Sequence, residues 1–385
     1  MNTVTWLTRL IAYNTTSRYS NLALIEDIAD FLSHHGLQPW LAHDATGQKA
    51  NLFVTLPAAD GTTAGGLIFS GHTDVVPVDG QDWQSDPFHA VIRDDKLYGR
   101  GAADMKGFIA AVLAAIPRMK AAKLARPLHI ALSYDEEIGC LGAPVMIDAL
   151  QQRGLSPEYC IVGEPTSMQM VVAHKGIHTF TCRVHGKAAH SSLTPQGVNA
   201  IEYAAQLILF IQQLGQRLQH DYAQDAAFDV PFSTLSVNTI QGGIASNIVP
   251  QLCEFGFDYR NLPHMQPADV IEPIQRYIRE VLEPQMRAVD ANCGIELHHH
   301  AAVPAMPEAD AQALLQLVAQ LVGNHTHHKV AYATEGGQFK QAGIHTVICG
   351  PGSIEQAHRA NEFVSLAQLA RCDDFLNKMI AAQTR

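Results

Sequence analysis

LIFSGHTDVV, residues 67–76, opens as a buried-strand run, stops at Gly71 and then presents His72, Thr73 and Asp74. Such a run predicts a buried strand with polar groups gathered at its carboxyl end. The same rhythm continues on both sides of it. Strands are predicted over 52–56, 67–70, 129–134 and 159–162, with helices over 22–35, 105–122 and 143–152. Apolar strands interleaved with amphipathic helices specify an α/β layer, a mixed, largely parallel sheet with helices on both faces. Sheets of that kind place their sites at the carboxyl ends of their strands.

From residue 177 the rhythm changes to strand 177–185, helix 198–218, strands 234–240 and 252–259, helix 268–281 and strand 295–299. That β-α-β-β-α-β order is the split unit of an α+β, ferredoxin-like domain. After Pro304 the first rhythm returns, with a helix over 309–322, a strand over 345–348 and a closing helix over 366–381. The expected organisation is a discontinuous α/β domain, 1–176 and 301–385, carrying an inserted domain, 177–300.

The 385 residues suffice for two or three domains of ordinary size. With 47% hydrophobic and 16% charged residues the chain is no disordered polymer. Its 26 basic against 37 acidic residues leave a net charge of −11 with no basic run, so nucleic acid and anionic membranes are poor partners. No stretch is apolar enough to span a bilayer, and MNTVTWLTRLIAYNTTSRYS at the N-terminus lacks a signal-peptide pattern, so a cytoplasmic location is expected. The seven cysteines are scattered and never in Cys-x-x-Cys spacing, which argues against a disulfide framework or a thiolate zinc site. His298, His299 and His300, with His325, His327 and His328, are expected in surface loops rather than at a further metal site.

Five positions carry candidate chemistry. His72 is a good zinc ligand, and Asp74 two positions on can hold its other nitrogen; the alternative is a hydrogen-bonded surface pair. Asp104 in LYGRGAADMKG, 97–107, stands at the entrance of an apolar helix, as a ligand or as an N-cap. Asp135, Glu136 and Glu137 follow the strand 129–134 directly. Adjacent carboxylates raise one another's pKa unless a cation or solvent compensates. A metal would do so, leaving a neighbouring carboxylate one water away as general base. Glu164 follows the strand 159–162 within CIVGEPT, where Pro165 stiffens the backbone, or it is an ordinary strand-end turn. His358 closes VICGPGSIEQAH, 347–358. Five acidic or imidazole groups at strand ends or glycine turns of one predicted sheet suit zinc, cobalt or manganese.

The ordered set SGHTDVVP, GRGAADMKG, DEEIG, GEPT and GPGS-x-x-x-AH resembles the dinuclear zinc deacylases and exopeptidases, a family that includes acetylornithine deacetylase, succinyl-diaminopimelate desuccinylase and carboxypeptidase G. The similarity runs over nearly the whole chain. It implies two divalent metal ions, zinc or cobalt, in the discontinuous domain. His72, Asp104 and Glu164 would hold one and Asp104, Glu137 and His358 the other, with Asp104 bridging, Glu136 as general base and Asp74 supporting His72. It implies further that the peptide bond after Asp104 is often cis. VHGKAAHSSLTPQGVNA, 184–200, resembles the family's lid signature, in which His190 would stabilise the tetrahedral intermediate, commonly from the other subunit of a homodimer formed through the inserted domain. GGIASNIVP and FDYRNLP resemble the substrate-binding segments, whose Asn and Arg are here Asn247 and Arg260.

The segment ATEGGQF, 333–339, departs from the Ser-Asp pattern of many desuccinylases and, with Asn361-Glu362-Phe363, looks like acetylornithine deacetylases. The substrate implied is N2-acetyl-L-ornithine, cleaved to acetate and L-ornithine as in arginine biosynthesis, with Glu335 facing the cationic end of the substrate. The alternative for Glu335 is a helix N-terminal carboxylate matched to the dipole. Ala102-Ala103, where such deacetylases often have Ser or Thr first, weakens the substrate assignment without touching the ligands. Another deacylase of the family, acting on acetylcitrulline, succinyl-diaminopimelate or a dipeptide, is the alternative enzyme. A non-catalytic metal or amino-acid binding protein is the alternative from another class, and the intact Glu136 argues against it.

Overall fold

The computed structural model describes residues 1–384. Helices α1 (Thr3–Ile11) and α2 (Leu22–His34) precede β1 (Trp40–His43), β2 (Ala50–Leu56) and β3 (Leu67–His72). A short pair, β4 (Val91–Arg93) and β5 (Lys96–Tyr98), leads into α3 (Lys106–Ala121), β6 (Leu128–Ser133), α4 (Gly142–Gln152), β7 (Tyr159–Val162) and β8 (Val171–His174). Next come β9 (Gly176–His185), α5 (Ala200–His220), β10 (Thr234–Gly242), β11 (Leu252–Asn261), α6 (Ala268–Tyr277), α7 (Glu283–Arg287) and β12 (Gly294–Val303). The chain closes with α8 (Gln312–Val322), β13 (His328–Val330), α9 (Gly336–Gln341), β14 (His345–Ile348), β15 (Phe363–Ser365) and α10 (Leu366–Ala382).

Two units result. The larger comprises Met1–Ala173, Met306–His328 and the chain from Thr334 onward; the smaller comprises His174–Ala305 and Lys329–Ala333. The large sheet has the order β1-β2-β6-β3-β7-β14-β8-β13. Its centre is parallel, β6 to β3, β3 to β7 and β7 to β14, whereas the β1/β2, β2/β6 and β14/β8 pairings are antiparallel. All six residues of β3 are buried, as a central strand covered on both faces requires. Helix α3 packs against β3, α1 and α10, and its buried residues run all round it. A helix apolar on every side belongs inside a core.

A three-stranded antiparallel sheet, β15-β5-β4, packs on the same core through Leu97 and Val364. It pairs Phe363 with Tyr98 and Val364 with Leu97, which brings the chain before residue 363 beside the chain after residue 98. Strands of three residues carry too little periodicity to be read from sequence, and none of these three was expected.

The smaller unit folds as a four-stranded antiparallel sheet of order β10-β11-β9-β12, the ferredoxin-like arrangement of a β-α-β-β-α-β chain. Asn199 caps α5 by accepting from Ile201 and Glu202 amides, so this helix starts at Ala200 rather than 198. The helix expected over 268–281 is interrupted. Residues Ile278–Leu282 form a π turn before α7, where Pro284 has no N–H to continue the ladder.

The strand predicted over 295–299 runs from Gly294 to Val303, so the histidines at 298–300 are strand residues and not loop residues. They lie in β12, whose register shifts between His299 and Ala301. His299 stacks on Phe180 with ring centroids 4.3 Å apart, and its Nε2 lies 3.2 Å from His178 Nδ1. His298 meets Glu296 at 3.0 Å and His300 meets Thr181 at 2.8 Å. Aromatic and polar cross-strand partners thus use imidazoles as strand residues. His328 likewise begins β13, while His325 and His327 are exposed.

Candidate metal centre

Four neighbouring parallel strands end along one edge of the large sheet. β3 ends in His72, β6 is followed by the Asp135–Glu137 turn, β7 by Gly163 and Glu164, and β14 by the segment leading to His358. Gly163 is required there: a Cβ would sit 2.0 Å from the Phe108 ring, so only glycine lets the strand turn over α3 and deliver Glu164. Asp104 arrives from the other side, on the loop before α3. It does not cap that helix, whose N-cap is Met105 without a side-chain bond. The Asp104–Met105 peptide bond is cis.

Asp104 turns one oxygen to each side of the cluster. Its Oδ1 is 3.1 Å from His72 Nε2, and its Oδ2 is 3.6 Å from His358 Nε2. Glu164 Oε1 lies 3.7 Å from His72 Nε2, and Glu137 Oε2 lies 2.9 Å from His358 Nε2. Among the described residues, the groups of three able to converge on one ion all contain His72: with Glu136 and Glu164, and with Asp104 and Glu137.

Asp74 meets His72 Nδ1 through both its backbone and its carboxylate. His72 Nδ1 donates to the Asp74 backbone carbonyl at 2.9 Å, while the nearest carboxylate oxygen is 3.6 Å away. The carboxylate accepts from the amides of Glu136 (3.0 Å) and Glu137 (3.3 Å) and from the Ser17 hydroxyl (2.7 Å). It orders the acidic turn as well as the imidazole. Asp135 is drawn out of the cluster by Lys49, whose ammonium lies 2.5 and 2.6 Å from its two oxygens. Of three consecutive acids only Glu136 and Glu137 remain for chemistry, and Lys49 had no signal in the sequence to mark it.

The cluster gathers the carboxyl groups of Asp104, Glu136, Glu137 and Glu164 around two imidazoles. Burial raises Glu136 to about 8 and Glu137 to about 7, and pushes Glu164 well above the usual carboxyl range. The hydrogen bond to Glu137 raises His358 to about 9. Burial opposes the charge on His72, but its bonds to Asp104 and Asp74 prevail and hold it well above 6.5. Buried acids whose charge calls for a cation, beside imidazole nitrogens at ligand spacing, make a donor set that fits divalent cations of the zinc and cobalt type.

Glu335 stands at the N-cap position of α9 without a side-chain capping bond, where the helix dipole also favours a carboxylate. It is buried at 1% exposure; Ser70 Oγ donates to its Oε2 at 3.3 Å, and its Oε1 has no partner. In the smaller unit, the loops bearing His190 and Asn247 adjoin: Ser191 N donates to Asn247 O and Val249 N to Ala189 O. His190 is exposed and bonded to Ser192 Oγ at 2.8 Å. Arg260 Nε lies 3.3 Å from Asp258 Oδ2.

A model of the peptidase family M20/M25/M40 matches residues 68–382. The chain belongs to the M20/M25/M40 peptidase family. Among curated members it is 36% identical over 362 residues, 94% of this chain and 91% of the other, to a Pasteurella multocida protein named acetylornithine deacetylase. In fold it is similar to the M20 family metallo-carboxypeptidase Sso-CP2 of Sulfolobus solfataricus, with a TM-score of 0.76 and 19% identity, covering 100% of this chain and 99% of that one. It is also similar to the YXEP protein of Bacillus subtilis, a dinuclear metal binding peptidase of the same family, with a TM-score of 0.67 and 14% identity over 99% and 97% of the two chains. This M20 member is a metallo-amidohydrolase.

Proposed function

We propose that the protein removes the acetyl group from N2-acetyl-L-ornithine, giving acetate and L-ornithine for arginine biosynthesis in the cytoplasm. The observation that carries this substrate is Glu335. It is a buried carboxyl at the strand-end edge with one oxygen unpartnered, suited to the side-chain ammonium of ornithine. The 36% identity to a protein named acetylornithine deacetylase supports the same choice.

His72, Asp104 and Glu164 are assigned to one ion, and Asp104, Glu137 and His358 to the other, with zinc the expected metal and cobalt able to replace it. Two such cations supply positive charge that polarises the acyl carbonyl and acidifies a water molecule. Glu136 takes the proton of the attacking water and passes it to the departing amine. Burial raises Glu136 to about 8, and positive charge beside it would bring it down to where it serves as a base near neutrality. His190 is assigned to the oxyanion of the tetrahedral intermediate, and Arg260, with Asn247, to the α-carboxylate, for which a guanidinium fork is suited. The smaller unit is assigned the lid and the homodimer contact.

The test is amine release from N-acetyl-L-ornithine by zinc- or cobalt-loaded protein, beside N-acetyl-L-citrulline, N-succinyl-diaminopimelate and a dipeptide. Preference for acetylornithine, abolished by chelator, is expected. Metal-dependent hydrolysis of another member of the panel would move the substrate and keep the mechanism; no hydrolysis of any would remove both. Glu136→Ala should keep its metal and lose roughly 100- to 10,000-fold in turnover.

A further inference from the structure

Glu362 is buried at 1% exposure, and both of its carboxylate oxygens are engaged within one short stretch of chain. Oε1 accepts from the amides of Ala103 (2.8 Å) and Asp104 (3.0 Å). Oε2 accepts from the amide of Gly101 (3.0 Å) and from Arg100 Nη1 (2.8 Å). Its own carbonyl accepts from Gly99 N at 3.0 Å. One side chain therefore gathers the loop that presents Asp104, bonding the amide of that residue itself.

Glu362 also stands four positions after His358, on a loop that needs holding. His358 and Asn361 have φ of 62° and 58°, and the His358 side chain is 58% exposed, so little packing fixes it. The restraint comes through Arg100, the cation paired with Glu362. Arg100 Nη1 also reaches Arg359 O at 3.3 Å, and Nη2 donates to Gln81 Oε1 at 2.5 Å. Gln81 Nε2 in turn donates to His358 O at 2.9 Å. β15 begins immediately after Glu362 and pairs with β5 immediately before Gly99, so both loops leave one small sheet. His72 and Glu164, by contrast, are set by β3 and β7 and owe nothing to this network.

We propose that Glu362 is a positioning residue that fixes the spacing between Asp104 and His358, and thereby sets the affinity for the ion those two share. The proposal rests on the ligand assignment above. A buried carboxylate saturated by three amides and a guanidinium is a rigid strut, and outer partners that orient ligands are worth roughly 10- to 100-fold in metal affinity.

The experiment titrates metal-free protein with cobalt(II), following ligand-field absorption and counting bound ions. Wild type should take up two ions in resolvable steps. Glu362→Gln keeps the shape but sets an NH2 group against N–H donors. It should weaken the ion shared by Asp104 and His358 roughly 10- to 100-fold and change the absorption of that step, with the ion on His72 and Glu164, which depends on this network through Asp104 alone, weakened clearly less. Two ions bound as in wild type, or both weakened equally in step with a lower thermal midpoint, would overturn the proposal. If Glu362→Gln does not fold, Gln81→Leu cuts the link to the His358 carbonyl from the surface. It should again loosen most the ion shared by Asp104 and His358, and an unchanged step for that ion overturns the proposal. A wild-type protein that binds no pair of ions would instead remove the ligand assignment, and this proposal with it.

Discussion

Asp104 holds an imidazole at each of its oxygens, and Glu335 lies buried with an oxygen to spare. Replacing Glu335 by Gln removes the charge and keeps the size. A hydrogen bond to a charged group contributes about 1.5–3 kcal/mol, so the kcat/KM preference for acetylornithine over acetylcitrulline should fall roughly 10- to 100-fold. An unchanged ratio in a competition assay would detach Glu335 from the substrate. At this scale the sequence reveals residues whose chemistry is unusual for their place, such as an imidazole or a run of acids at a strand end. It hides residues that act by holding others. Lys49 neutralises Asp135 from 86 positions away, and Glu362 gathers a loop some 260 positions earlier, so no local spacing announces either. Asp74 was visible, but the division of labour between its carbonyl and its carboxylate depends on how the acidic turn folds over it.

Helix α3 places Phe108 beneath the site, against Phe69 of β3 with ring centroids 6.4 Å apart and against the turn at Gly163. Phe108→Ala should lower stability by about 3–5 kcal/mol through lost burial and an unfilled cavity. A urea unfolding midpoint equal to that of wild type would show that the site edge does not depend on this packing. Elements of this kind were legible because their apolar content is dense: β3, β6, β7, β14 and α3 all fall where apolar runs predict them. What could not be read follows from length and context. β4, β5 and β15 have three residues each, and the strand predicted over 295–299 runs on to Val303, with His299 received by Phe180 and His178 on β9. The break at residues 278–282 was signalled by Pro284, although the apolar spacing across it favoured a continuous helix.

Stability of the whole molecule should fall in mild acid. His174 is wholly buried, its Nδ1 donates to Lys175 O at 2.7 Å, and burial holds its pKa near 4. The folded value lies below the unfolded value of 6.5. As pH falls through 6.5 the unfolded chain takes up a proton that the folded chain refuses until about 4. Stability from this group is complete above 6.5 and is lost toward pH 4, by about 3 kcal/mol in all. Burial lowers His178 to about 4 as well, in the same direction. Urea midpoints in the presence of chelator should decline between pH 6.5 and 4.5, and less steeply for His174→Gln; parallel curves would contradict this account. All seven cysteines are buried and unpaired, so a thiol reagent should find none quickly in the native chain and seven in denaturant. Readily titrated native thiols would contradict that packing. The order of the large sheet also bears on how the chain is made. β14 lies between β7 and β8, yet a ribosome delivers it only after the whole of residues 174–305 has emerged. At ordinary translation speed the nascent chain spends on the order of ten seconds with the edge of β7 open and apolar, while the contiguous span 174–305 is already free to fold. His358 follows β14, so the full set of ligands cannot assemble until that open side of β7 has been closed.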